Sequence, residues 1–349
     1  MEYKKDILKN GVRLITVPMP HLDSVTVMIG VGAGSRCEKK RVQGVAHFAE
    51  HMMFKGTKRR PTALALSSEL DSLGASFNAA TGEERTVYFV KSAAKNLKAS
   101  LDILTDIVLN SLFRVEDLER EKGVIIEELR MYKDDPKRWV FNVAGKLIFG
   151  DHPLGRETIG TEESIRGMKR SDFIDYLQGW YTSTNMVVAV VGKIEESEVV
   201  GRVKGILGDY QVCPVPEIVK FESNQTTAGI SIEERKTDQT HFILGVRAYP
   251  RNHPREEALQ VLTTILGGGM SSRLWNEIRE KRGLAYYIRA GWWDFADTGV
   301  FAVRGGVNNA KFEGALKVVL DELKRASEEK VPGEELAKAK EMIRGDLVL

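Results

Sequence analysis

Apolar positions fall on every second residue at the start of the chain. ILKNGVRLITVPM (7–19) and SVTVMIGVG (24–32) alternate in this way, the first with a turn at Asn10-Gly11, and both predict strands. The spacing then changes to threes and fours, which predicts a helix over 44–54 and another over 62–73 that Gly74 ends at its C′ position. ASFNAATGEERTVYFVK (75–91) returns to alternation and reads as a hairpin turning at 81–84. Helical spacing follows over 94–110, 115–132, about 137–149 and 171–181, then the strand NMVVAVVGK (185–193) and a helix from about 195 to 207.

Residues 210–227 (YQVCPVPEIVKFESNQTT) hold two prolines and little periodicity, which suggests a linker. After it the order begins again. GISIEERKTDQTHFILGVRAYP echoes the opening strands, and REEALQVLTTILGG sits where the 44–54 helix sat. SSRLWNEIREKRG gives a further helix, AYYIRAGWWDFADTGVFAVRGG a hairpin, and AKFEGALKVVLDELKRA a last helix. The pattern predicts an α+β protein of two homologous α/β sandwich domains, 1–212 and 228–349, joined by a linker at 213–227. The text stops at EMIRGDLVL within a helical stretch and without a capping residue, so the second domain is expected to be truncated at its C-terminus.

Composition narrows the class. Of 349 residues 42% are hydrophobic and 29% charged, as in a globular protein, and a net charge of +2 gives no reason to expect nucleic acid or an anionic membrane as partner. The N-terminal MEYKKDILKNGVRLI has no apolar core of signal-peptide length, and the apolar runs are strand-sized. Two cysteines are too few for a disulfide framework, so a cytoplasmic location is the expectation. GVGAGS (30–35) places glycines after a strand, but the charged run Arg36–Arg41 follows where a dinucleotide site needs a helix.

Chemistry enters at GVAHFAEHMMFKGT (44–57). On a helix His47 and His51 project one turn apart, the separation at which two imidazoles can share one ion, and Glu50 stands beside both, placed to act on a water rather than to bind the ion. The second copy has no such pair in its matching helix, so the chemistry belongs to the first half. A catalytic zinc needs a third protein ligand. In LEREKGVIIEELRMYKDDP, stepping about 100° per residue from Glu121 puts Glu128 at about 340° and Glu127 about 100° away from it. Glu121 and Glu128 therefore share the face flanked by Val124, Ile125 and Met131. A carboxylate held there needs a cationic partner. The phasing selects Glu128 as ligand over Glu127 and makes Glu121 a support for a histidine or the water. A buried salt bridge to an arginine, with the histidines merely structural, is the other reading of the same residues.

Four segments together, GVAHFAEHMMFKGT, LGASFNAATGEERTVYF, EREKGVIIEEL and LGGGMSSRLWNEIREKRGLAY, closely resemble the pitrilysin or insulinase family of inverted-motif zinc peptidases. The branch of mitochondrial processing peptidase and its bacterial relatives is the one they resemble most. The resemblance implies two α+β domains forming a clamshell and one Zn2+ per chain on the first. It implies ligands His47, His51 and Glu128, general base Glu50 and a supporting Glu121. It further implies that Phe77, Asn78, Ala79 and Ala80 lie on an edge strand that takes peptide or unfolded protein as an added β-strand. Arg279 and Tyr286 match an arginine and a tyrosine that donate hydrogen bonds to the developing oxyanion. A homodimer or a paralogous heterodimer is the implied assembly. The expected function is zinc-dependent endopeptidase, against a non-catalytic partner subunit or a peptide-binding module of the same fold.

Overall fold

The strands of the first half, β1 (Lys4–Ile7), β2 (Arg13–Pro18), β3 (Ser24–Val31), β4 (Ser76–Thr81), β5 (Thr86–Ala93) and β6 (Met186–Gly192), join into one sheet of order β1-β2-β6-β3-β5-β4. Only the β2–β6 pair is parallel. The computed structural model describes residues 2–348. Alternation decides which face of the sheet is dry. Val25, Val27, Ile29 and Val31 of β3 are buried, level with Tyr88 and Val90 of β5 and Val188 and Val190 of β6. Helices α1 (Val45–Met53), α2 (Ala63–Ser72), α3 (Leu97–Asn110), α4 (Val115–Asp134), α5 (Pro136–Phe149), α6 (Glu162–Gly167), α7 (Arg170–Trp180) and α8 (Glu196–Leu207) complete the first half, α3 packing on β3 and β5.

The chain divides into two compact units, residues 1–131 with 151–219, and residues 132–150 with 220–349. These bounds differ from the expected 1–212 and 228–349, because α5 packs with the second unit. Trp139 Nε1 donates to Glu233 at 2.7 Å, the Phe141 ring lies 5.7 Å from that of Trp293, and Phe149 meets Phe295 edge-on at 5.5 Å. Helical spacing shows which side of a segment is apolar but not what that side meets.

The second unit holds β7 (Gln239–Ala248), β8 (Ala285–Asp294) and β9 (Gly299–Asn308) in the order β7-β9-β8, with α9 (Glu256–Gly267), α10 (Phe312–Glu328) and α11 (Gly333–Val348). Phe242, Leu266, Ile278, Ile288 and Val303 centre its core. The chain is thus a two-domain α+β protein. Two expectations are corrected. GISIEERK (229–236) is not a strand: its counterpart β2 pairs with β6, no described strand takes that place here, and Ile230 is 84% exposed. Trp275–Glu280 is π-helical rather than α-helical, its widened turn closed by Lys281 N donating to Asn276 O at 2.9 Å. No helix of the described residues is long and apolar enough to cross a membrane.

A buried ionic network fixes the loop after α1. Asp106, whose side chain is 0% exposed, accepts from Arg60 Nη1 at 2.8 Å, Thr57 Oγ1 at 2.6 Å and Asn110 Nδ2 at 2.9 Å. Breaking a buried pair strands its partner charge, so Asp106→Ala is expected to lower unfolding free energy by about 3–5 kcal/mol in denaturant titration. The more exposed Asp102 also binds Arg60, and Asp102→Ala is expected to cost about 1 kcal/mol or less. Equal losses from the two would contradict this account.

Candidate metal centre

In α1 the sequence VAHFAEHMM sorts itself by phase. Val45, Ala46, Phe48, Ala49, Met52 and Met53 are buried, whereas His47, Glu50 and His51 share the remaining arc and are half-buried. Phe48 anchors the apolar side, edge-on to Phe173 of α7 at 4.8 Å.

The start of α1 has no side-chain cap of its own. Gly44 stands at the N-cap with φ +92°, and a Cβ there would lie 2.4 Å from Ile159 O. The buried Glu38 replaces the cap, accepting from Gly44 N at 2.7 Å and Ala46 N at 2.8 Å. Burial pushes its carboxyl up to about 8 in spite of these two donors. Sequence reasoning passed over Glu38 within the charged run 36–41. The signal was available: a helix opening on glycine must satisfy its first amides from elsewhere.

Three donors converge where α4 runs past α1. Ligand atoms of His47, His51 and Glu128 all lie within 4.8 Å of one another. Glu128 Oε1 is 3.7 Å from His47 Nε2, and its Oε2 is 3.5 Å from His51 Nε2. Those separations are long for hydrogen bonds and close to the roughly 3.4 Å edge of a tetrahedron with ligands at about 2.1 Å. Two imidazoles and one carboxylate in that spacing fit a zinc-sized ion. The neighbouring Glu127 turns away, pairing with Arg130 at 2.6 Å on the solvent side.

Glu121 Oε1 meets His51 Nδ1 at 2.9 Å. This hydrogen bond places the proton on Nδ1 and leaves the Nε2 lone pair for an ion. Burial raises the Glu121 pKa, but hydrogen bonds from His51 and Lys55 outweigh it, so its carboxyl sits below the ordinary value. Burial, and then the charge of His51, push His47 down to about 4, against an opposing pull from Glu128. Glu50 accepts a hydrogen bond from Thr81 Oγ1, and burial raises its pKa although Thr81 and His51 offset part of the effect.

Phe77, Asn78, Ala79 and Ala80 belong to β4, an outer strand of the sheet, and Phe77 stacks on Phe54 at 6.1 Å just beyond α1. The structure thus brings the histidine pair, the three glutamates and the β4 strand together in the first unit. Arg279 and Tyr286 lie together in the second. Arg279 Nη1 donates to the Tyr286 carbonyl at 2.7 Å, and its guanidinium stacks over Trp275 at 4.2 Å. Both line a cavity of about 490 Å3 with Asp238, Gln239 and Asn308, and Tyr286 is exposed. Sequence reasoning also missed Lys55, which reaches Glu121, and Thr81, which reaches Glu50.

Fold and donor set together define a two-domain α+β protein whose first unit carries three residues, His47, His51 and Glu128, that could hold a metal ion. The chain belongs to the insulinase family, peptidase family M16. Residues 13–162 match the domain described as Insulinase (Peptidase family M16), and residues 167–343 match the Peptidase M16 inactive domain. An uncharacterised zinc protease of Streptomyces coelicolor is 34% identical over 352 residues, spanning 99% of this chain and 76% of that protein. Among solved structures, a protease from Helicobacter pylori superposes with a TM-score of 0.93 at 24% identity, covering 99% of this chain and 85% of that one. A peptidase M16 inactive domain from Pseudomonas fluorescens gives 0.92 at 23% identity, covering 99% and 84%.

Proposed function

We propose that this chain is a zinc-dependent endopeptidase that hydrolyses peptides or unfolded polypeptide segments. One observation carries the reading: the donor atoms of His47, His51 and Glu128 converge within 4.8 Å, with Glu50 beside them. The zinc-protease relatives support the choice of metal. Zinc held by these three residues would supply Lewis acidity for a hydrolytic water and the substrate carbonyl.

The remaining roles fall to this chain's own groups. Glu50 takes the proton of the attacking water and delivers it to the leaving amine. Thr81 keeps the Glu50 carboxylate turned toward its task, and Glu121 keeps His51 in the tautomer that binds metal. Substrate adds to the free side of β4 along Phe77–Ala80, where main-chain hydrogen bonds accept many sequences. Zinc analysis of the purified protein beside cleavage of an unstructured peptide tests the reading. Metal with cleavage supports it, and peptide binding without cleavage points to a binding module.

Protons and metal compete for the same imidazole lone pairs. Because burial holds His47 neutral down to about 4, loss of function lies on the acid side. Bound metal and turnover are expected to fall together as the pH drops toward about 4, where His47 takes up a proton. Undiminished turnover well below that range would count against histidine ligation.

A further inference from the structure

The contact that orients His51 is itself held from behind. Glu121 gives Oε1 to His51 Nδ1 at 2.9 Å and Oε2 to Lys55 Nζ at 2.6 Å, so one carboxylate bridges an imidazole and an ammonium. The Glu121 side chain is 7% exposed and that of Lys55 31%. Lys55 is not a loose surface lysine. It sits on the turn that leaves α1, with its amide donating to Met52 O at 3.1 Å. The next residue, Gly56, has φ +126°, and a Cβ there would lie 2.7 Å from Pro61 O. Thr57 then locks the loop, donating its hydroxyl to buried Asp106 while Leu112 N bonds Gly56 O at 3.1 Å. The loop is thus tied on both sides of Lys55, and the ammonium it carries is paired with Glu121.

We propose that Lys55 is a positioning residue for metal binding, acting through Glu121 on His51. The inference rests on the zinc reading above. A carboxylate gripped at both oxygens can neither rotate nor retreat, so its hydrogen bond keeps the His51 ring aimed and its Nε2 free. Without Lys55, Glu121 Oε2 loses its charged donor in a mostly buried place, and the carboxylate is no longer fixed.

The test is the zinc dissociation constant of the full chain, measured by competition with a chromophoric chelator and independent of activity. Lys55→Met is expected to weaken zinc by about 10–100-fold, the range for groups that orient a ligand. Lys55→Arg, which restores a cationic donor, is expected to recover most of the loss. Lys58→Met, which removes an exposed charge from the same loop, is expected to change nothing. Wild-type affinity in Lys55→Met overturns the proposal. So does an equal loss in Lys58→Met, which would trace the effect to general charge, or a loss that Lys55→Arg does not recover. A wild-type protein that binds no zinc overturns the zinc reading instead.

Discussion

Replacing Glu50 with glutamine is expected to leave zinc content unchanged and to lower peptide turnover by about 10²–10⁴-fold, the usual worth of a positioned proton acceptor. The geometry explains why the two quantities should separate. Glu50 shares the polar arc of α1 with His47 and His51 but is not one of the three residues whose donor atoms converge. Glutamine keeps the volume and one carbonyl oxygen able to accept from Thr81, so packing of the helix is preserved. What disappears is the capacity to take a proton. Metal analysis and initial rates on one preparation decide the matter. Unchanged cleavage would remove Glu50 as the base, and loss of zinc would make it a ligand.

The centre was legible in the sequence to the extent that it depends on helical phase. Positions 47, 50 and 51 fall on one arc of α1, and Glu121 and Glu128 on one side of α4, because 3.6 residues per turn leave few alternatives. Of the residues expected to flank the two glutamates, however, only Ile125 is buried, while Val124 and Met131 are exposed. The same arithmetic turned Glu127 outward, where Arg130 meets it. Local turn chemistry was equally readable: Gly74, with φ +59°, follows the C-cap of α2, and the hairpin of β4 and β5 turns between Thr81 and Thr86.

Contacts remote in sequence were not legible. Glu38 caps α1 from outside the helix, and Lys55 meets Glu121 across 66 positions of chain. Neither has a spacing that a periodic pattern reveals. The same limit explains α5, whose apolar side is visible in the text while its partners Trp293, Phe295 and Glu233 are not. It also explains GISIEERK. Alternation makes a segment fit to be a strand, but a strand exists only where a neighbour supplies the ladder, and the described residues supply none.

Two adjacent glutamates give the sharpest test of the ligand set. Glu128→Gln is expected to weaken zinc by roughly 10³-fold or more, since residues that merely orient ligands are worth about 10–100-fold. Peptide turnover should fall with the metal. Glu127→Gln should leave both within about twofold, because that side chain is 70% exposed and its ion pair with Arg130 is of the weak surface kind. The contrast holds charge change, side-chain volume and helix position nearly constant, so it isolates the direction in which the carboxylate points. Thermal melting supplies a reading that does not depend on catalysis. A ligand bound only by the folded state raises stability as its concentration exceeds the dissociation constant. Zinc should therefore raise the melting temperature of wild type and Glu127→Gln, while Glu128→Gln should not respond at the same concentrations. A Glu128→Gln protein that melts and cleaves like wild type would show that the two histidines find their third partner elsewhere, and the assignment of α4 to the metal would fall with it.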